Sequence, residues 1–395
     1  MSLEQVSPGR LAEITDALSE RFAREYGVPS LGVFRAPGRV NLIGEHLDYN
    51  DGLCLPIALP HATYAALAAR DDDEVRVTSL QQEQPWSGRL DALGPGDVDG
   101  WAAYVAGVVW ALRELGWKLP GLDIMVDSRV PVGSGLSSSA ALECSVALGL
   151  CAVAGKDADD AVRRALVTAC MRAETEVAGA PTGGMDQTVS LFGQPKHALL
   201  LDCRDWSTRQ VPWDPSEADV ELLVVDTRSS HTLSDGGYES RRRDCESAAE
   251  SLGVASLREV DDAEAALSAL SDERVRRRAR HVFSELARVN ESVDQIRAED
   301  FAGLGRTFCA SHASMRDDFE ISTPELDAVV DTAVEHGALG ARMTGGGFGG
   351  SAIALVPRAQ GEAVRAAIAA VFERQGWGSP GFLSADPSAG ADRMA

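Results

Sequence analysis

Ten consecutive residues, Val132-Gly133-Ser134-Gly135-Leu136-Ser137-Ser138-Ser139-Ala140-Ala141, constrain this chain more than any other stretch. Residues 122–130 before them read as a buried strand closed by Pro131. Residues 136–153 after them are almost continuously apolar and small, too long for one strand and free of proline, which predicts a buried helix. A Gly/Ser loop running from a strand into a helix leaves backbone N–H groups unpaired at the positive end of the helix dipole. Phosphate is the usual occupant of such a place. Ser137, Ser138 and Ser139 add hydroxyls that can cap the helix, ligate Mg²⁺, or both. A Ser-capped core helix without a ligand is the plain alternative. A Walker A loop needs Gly-x4-Gly-Lys-Ser/Thr, and none of the lysines (Lys118, Lys156, Lys196) completes one. A nucleophile elbow needs Gly-x-Ser-x-Gly, which this stretch does not supply.

At 395 residues the chain is long for one core, so two domains are expected, divided at the polar connection 204–219 into 1–205 and 206–395. A net charge of -23 argues against nucleic acid or an anionic membrane as a standing partner, and a nucleotide site must then carry its own local positive potential. The seven cysteines are scattered, never spaced as Cys-x-x-Cys, and several fall in apolar runs, which predicts buried free thiols rather than disulfides or zinc. Met-Ser-Leu-Glu-Gln at the start has neither a basic nor an apolar segment of a signal peptide, and a cytoplasmic protein off the membrane is expected.

In chain order, residues 8–26 form an amphipathic helix and 33–36 a short strand. Residues 36–52 then set Arg39, Asn41, Glu45, His46, Asp48 and Asn50 between apolar residues and glycines, the pattern of a half-buried loop. Carboxylates, an imidazole and amides so placed can read sugar hydroxyls, which both donate and accept; a polar turn with one salt bridge is the alternative. A helix over 158–178 carries Glu174 near its end, where the dipole disfavours a carboxylate. Gly183-Gly184 then delivers Asp186 to the front of an apolar segment, 189–192, read as a strand, making Asp186 a candidate catalytic or metal-bound acid. A loop is expected over 228–238, and helices over 239–251, 263–270, 273–290, 301–319 and from 323 to 337. Gly345, Gly347 and Gly350 match Gly-x-Gly-x-x-Gly only weakly, because a strand follows rather than a helix. A glycine loop joining two strands suits close approach to a ligand or to another loop.

With these stretches in hand, the chain resembles the galactokinases of the GHMP kinase superfamily nearly end to end. Gly38 to Gly52 is similar to the galactokinase signature at almost every fixed position, Pro131 to Ala141 to the ATP-binding loop, Gly340 to Gly350 to the third motif, and Asp386 to Ala391 to the family's C-terminus. Three motifs in order and spacing are specific where one glycine loop is not. The resemblance implies an α+β, two-domain GHMP kinase fold with the active site in the interdomain cleft. It implies transfer of the ATP γ-phosphoryl, with Mg²⁺, to O1 of α-D-galactose; a monomer is expected beside it. Under it Glu45, His46, Asp48, Gly183 and Tyr238 would bind sugar hydroxyls. Gly133, Ser134, Gly135, Leu136, Ser137, Ser138 and Ser139 would wrap the ATP phosphates, Ser139 and Glu174 would hold Mg²⁺, and Asp186 would be the catalytic carboxylate with Arg39 as its partner. Thr182 and Gly184 depart from the usual Cys and Ile, which bears on the shape of the turn before Asp186. Related kinases acting on N-acetylgalactosamine, mevalonate or homoserine, and a non-catalytic galactose- and ATP-binding sensor, are the competing readings; intact residues 137–141 and Asp186 argue against the sensor.

Overall fold

The computed structural model describes residues 4–180, 182–230 and 236–394. Two large sheets dominate it. The first has six strands in the order Asp392–Arg393, Val33–Asn41, Pro56–Arg70, Gly121–Ser128, Glu74–Ser79, Trp86–Arg89; neighbours are antiparallel except for the parallel pair Glu74–Ser79 and Gly121–Ser128. The long Pro56–Arg70 strand is covered on both faces, so it reads as apolar throughout rather than alternating. Ala62, Tyr64, Ala66 and Ala68 meet Ile14, Leu18 and Phe22 of the helix Leu11–Tyr26, while Ala65 and Leu67 face a core built by the helices Ala102–Glu114, Ser138–Val153 and Asp160–Arg172. Gly149 brings Ser138–Val153 onto that sheet: a Cβ there would lie 2.3 Å from Leu67.

The second sheet has the order Glu4–Gln5, Gly381–Ser384, Val220–Ser230, Gly349–Pro357, Gly340–Thr344. Helices Gly237–Leu252, Glu273–Arg297, Phe301–Asp317, Pro324–Glu335 and Gly361–Gln375 belong to this half. One apolar core runs from its strands into Val40, Leu42, Ile43 and Ile57 of the first half. A small third sheet pairs Leu53–Cys54 with the hairpin of His197–Asp202 and Ser207–Pro212. The chain ends are exchanged. Glu4–Gln5 joins the second sheet and Asp392–Arg393 the first.

Several expectations change. Residues 36–41 are strand, not loop: Val33–Asn41 is buried along its whole length, and Pro37 is tolerated because the register with Pro56–Arg70 shifts between Pro37 and Arg39. Residues 189–192 belong to the helix Met185–Phe192 rather than a strand; Gly184 caps it at φ 83°, and Asp186 lies in its first turn, where the dipole favours a carboxylate. The helix expected over 158–178 ends at Arg172 and continues as a π turn, Ala173–Val177, carrying Glu174. The connection 204–219 holds the strand Ser207–Pro212, so a division at 205/206 passes through the turn of a hairpin. The helix expected over 273–290 runs on to Arg297. Of the loop expected over 228–238, residues 231–235 lie outside the described residues, and helix Gly237–Leu252 begins before 239. The seven cysteines are free and six of them buried. Among the described residues no helix is long and apolar enough to cross a membrane.

Candidate active site

The Gly/Ser loop turns sharply, with Gly133, Gly135 and Ser137 all at positive φ, before the helix Ser138–Val153 begins. Ser137 stands at the capping position, yet its hydroxyl does not cap the helix; it donates to Asp186 Oδ2. The first N–H groups of the helix therefore stay available for an anion. The loop's carbonyls are held from outside. Gly135 O accepts from Arg39 Nη1 at 2.5 Å, Leu136 O from the Arg39 N–H at 3.1 Å, and Ser134 O from the Ser351 hydroxyl at 2.7 Å. Gly38 makes this docking possible, since a Cβ there would sit 2.6 Å from Leu136 O.

Arg39 also grips Asp186 with two parallel bonds, Nε to Oδ1 at 2.6 Å and Nη2 to Oδ2 at 2.7 Å. With Ser137, three donors converge on Asp186, the surroundings of a carboxylate. A carboxylate offers about four lone-pair directions, so one is left for an incoming hydroxyl. Asp186 is the more exposed of the pair, at 21% against 7% for Arg39.

Asp186 opens onto a pocket of about 180 Å³ lined by Arg39, Glu45, His46, Asp48, Glu174, Thr182, Gly183, Met185, Tyr238, Gly345 and Gly346. Pockets for drug-sized molecules run to roughly 300–1,000 Å³, so this one suits a single small polar ring. Gly183 backs directly onto Asp48: a Cβ would lie 1.8 Å from Asp48 Oδ2. Burial, with the neighbouring Asp186 charge, pushes the Asp48 carboxyl up to about 6. Glu45 is almost fully buried and accepts from Gly345 N–H at 3.1 Å, from Thr344 Oγ1 at 3.2 Å and from Arg342. His46 adopts φ 61°, and both of its ring nitrogens are engaged. Nε2 faces the Gly346 carbonyl at 3.1 Å and must donate, so Nδ1 accepts from the Tyr49 hydroxyl at 2.7 Å. Burial pushes this imidazole down to about 3, so it stays neutral. Tyr238 packs on His46 with ring centroids 5.1 Å apart.

Glu174 enters from the π turn, largely buried. Burial raises its carboxyl to about 7, opposed by a hydrogen bond from Ser139. Its other hydrogen-bond partner, the Gln187 amide at 2.6 Å, is also neutral. A buried acid held by neutral donors beside a helix start is the donor set of a hard divalent cation that keeps waters and phosphate oxygens as its remaining ligands. Mg²⁺ therefore fits these residues. Among the described residues no group of three or more His, Cys, Asp or Glu side chains could hold a metal without a substrate's help.

The expected site residues thus converge on one cleft: Asp186, Arg39, Glu45, His46, Asp48, Gly183, Tyr238 and Glu174 line the pocket, and Ser137 joins it through Asp186. His46 has the narrowest scope, because neither ring nitrogen is free for a hydroxyl. Arg342, Thr344 and Tyr49 escaped sequence reasoning as site residues. Arg342 left a trace, being the one charge in a strand, Gly340–Thr344, that is buried at every position. A larger hollow of about 600 Å³ beside Lys196, Trp213 and Phe301 shares no residue with this cleft, and its lysine is paired with Asp214 and Glu217.

Two sheets, a helix start entered through a Gly/Ser loop and an Arg-clamped acid together define a class. The crystal structure of the Methanococcus jannaschii mevalonate kinase superposes with a TM-score of 0.65 at 16% identity, covering 92% of this chain and 98% of its own, which speaks for the fold alone. Models of the GHMP kinases N terminal domain and of the GHMP kinases C terminal match residues 103–194 and 292–374, and the galactokinase galactose-binding signature matches 20–69. The galactokinase of Streptomyces coelicolor is 49% identical over 387 residues, 96% of this chain and 99% of its own. That of Mycobacterium tuberculosis is 48% identical over 325 residues, covering 82% and 88%. The crystal structure of Lactococcus lactis galactokinase complexed with galactose superposes with a TM-score of 0.91 at 31% identity, over 96% of this chain and 100% of that one. The chain belongs to the galactokinase family of the GHMP kinases.

Proposed function

We propose that the protein transfers the γ-phosphoryl of ATP to O1 of α-D-galactose, giving α-D-galactose 1-phosphate and ADP, as a cytoplasmic monomer. One observation carries the reading: Asp186, clamped by Arg39 and Ser137, stands between the Gly/Ser loop and the Glu45–Asp48 segment. Phosphoryl transfer depends on positioning and on neutralising charge at the phosphate oxygens. The backbone of Gly133, Ser134, Gly135, Leu136, Ser137, Ser138 and Ser139 holds the phosphates at the helix start. Glu174 and the Ser139 hydroxyl would hold Mg²⁺, whose charge neutralises phosphate oxygens when bound. Asp48 and Glu45 accept hydrogen bonds from ring hydroxyls, and Gly183 leaves room for Asp48 to do so. Tyr238 and the carbon edge of His46 wall the pocket. Asp186 takes the O1 hydroxyl on its remaining lone pair, and Arg39 keeps that carboxylate aimed.

An ATP-consumption assay with Mg²⁺ across galactose, glucose, 2-deoxygalactose, N-acetylgalactosamine, arabinose and mevalonate tests the reading. Turnover confined to galactose, with or without its 2-deoxy analogue, is expected. Turnover on N-acetylgalactosamine or mevalonate instead would replace the substrate. Binding of galactose without any turnover would make the protein a sensor.

A further inference from the structure

We propose that Arg342, distant from the Gly/Ser loop in sequence and supplied by the other half of the fold, is a positioning residue that sets sugar selectivity by holding the Glu45 carboxylate in the pocket. The inference rests on the proposed role of Glu45 as a reader of ring hydroxyls.

Arg342 lies in the strand Gly340–Thr344 and is completely buried. A buried guanidinium is costly unless it is paired, and here the two terminal nitrogens carry the pairing while Nε has no partner. Its Nη2 donates to Glu45 Oε2 and, at 3.4 Å, to Glu285 Oε1; its Nη1 donates to Leu42 O at 2.6 Å. One side chain of the second sheet thus grips both the backbone and the side chain of the sugar-signature segment. Just past that strand the Gly345 N–H donates to the other Glu45 oxygen at 3.1 Å, and the Thr344 hydroxyl is shared between that oxygen at 3.2 Å and Asn41 O at 2.8 Å. His281, from the helix Glu273–Arg297, holds the Glu45 carbonyl at 3.2 Å. Glu285, on that helix, balances the arginine and accepts from Ser311 and the Gly44 N–H, so it is committed elsewhere. Burial raises the Glu45 carboxyl and Arg342 opposes that rise, so the arginine favours the charged, accepting form of Glu45 as well as fixing its place.

The geometry separates this role from general scaffolding. Arg342 touches Glu45 but is not among the residues lining the pocket, so its effect on the sugar has to pass through Glu45 and the Leu42 backbone that it also holds. Galactose and its singly deoxygenated analogues are assayed with the unaltered protein, Glu45→Gln, Arg342→Lys and the double variant. Thr344→Val, which removes the hydroxyl shared between Glu45 and Asn41 O, is carried alongside. The analogue whose KM is indifferent to Glu45→Gln marks the hydroxyl that Glu45 reads. Arg342→Lys is expected to raise KM for galactose about tenfold, the scale of one weakened charged hydrogen bond, with kcat within about twofold and KM for ATP unchanged. It should leave KM for the marked analogue unaltered, and the double variant should be no worse than Glu45→Gln. Thr344→Val should show the same selective pattern at a smaller, roughly threefold, amplitude, and its pattern decides the question if Arg342→Lys does not fold. Equal KM rises on every analogue, or an additive double variant, would overturn the role of Arg342 while leaving the kinase reading intact. An unaltered protein that binds but does not phosphorylate galactose would overturn the kinase reading; the same selective pattern is then sought in dissociation constants, and its absence there overturns the role of Arg342.

Discussion

Asp186 is held by two arginine nitrogens and one serine hydroxyl. Asp186→Ala is expected to lower kcat about a thousandfold, the scale of a lost proton-accepting group, while calorimetry still records ATP binding. Robust turnover in that variant would exclude Asp186 from the chemistry. Asp48 gives a pH prediction. With its carboxyl raised to about 6, the acceptor form is lost as pH falls below that value, so KM for galactose should climb about tenfold per unit in the acid range. Asp48→Asn should flatten that limb. For folding the sign is the reverse: between the ordinary value of 3.8 and about 6 the native state keeps a proton the unfolded chain has released, so the Asp48 contribution to stability falls as pH rises through that window. Asp186 was legible in sequence because paired glycines deliver it to an apolar segment, and Asp48 because it stands among polar residues set between apolar ones. The partners that tune them were not. Arg342 meets Glu45 across 297 positions of chain, and no local pattern reports such a meeting.

The strand Val33–Asn41 is the element that joins the two chemistries, since it carries Arg39 and passes under the Gly/Ser loop. Gly38→Ala would place a methyl 2.6 Å from Leu136 O and 2.9 Å from Val130 Cγ1. Overpacking of this kind costs about 1–3 kcal/mol, so thermal unfolding should shift down by several degrees and KM for ATP should rise as the loop moves. An unchanged melting curve would mean that the loop yields freely. Local pattern misleads at two places in this region. Pro37-Gly38 looks like the end of a strand, yet a register shift between Pro37 and Arg39 lets the strand continue. Val189, Leu191 and Phe192 suit a strand by composition, yet Gly184 at positive φ turns the segment into a helix start and so gives Asp186 a favourable dipole. The helices following the Gly/Ser loop and residue 323 were plain, the first by its apolar length and the second by the Thr323 cap with Pro324 behind it.

At the scale of the molecule, the two halves are sewn together by their ends. Arg35, buried in the first sheet, donates to Ala389 O at 2.9 Å and to Ser388 Oγ at 3.1 Å, and Arg163 reaches Ala391 O at 2.9 Å. Deleting residues 387–395 would strip partners from two arginines, one of them buried. A drop in melting temperature of roughly 5 °C or more is expected from losses of a few kcal/mol. A fragment of residues 1–205 alone should fail to reach native protection in hydrogen exchange, and full protection there would show the first half to be self-sufficient. Two halves were legible from chain length, but their exchanged ends were not, because a two-residue edge strand has no periodicity to read.

The same exchange has a consequence in time. Arg35 leaves the ribosome early, and its carbonyl partner Ala389 is made 354 positions later. At about 5–20 residues per second that interval is on the order of 20–70 seconds, during which the outer edge of the first sheet stands open. The Arg39–Asp186 pair is therefore made well before residues 388–393 can cover the outer edge of the first sheet, and through that interval the edge is open to pairing with another strand.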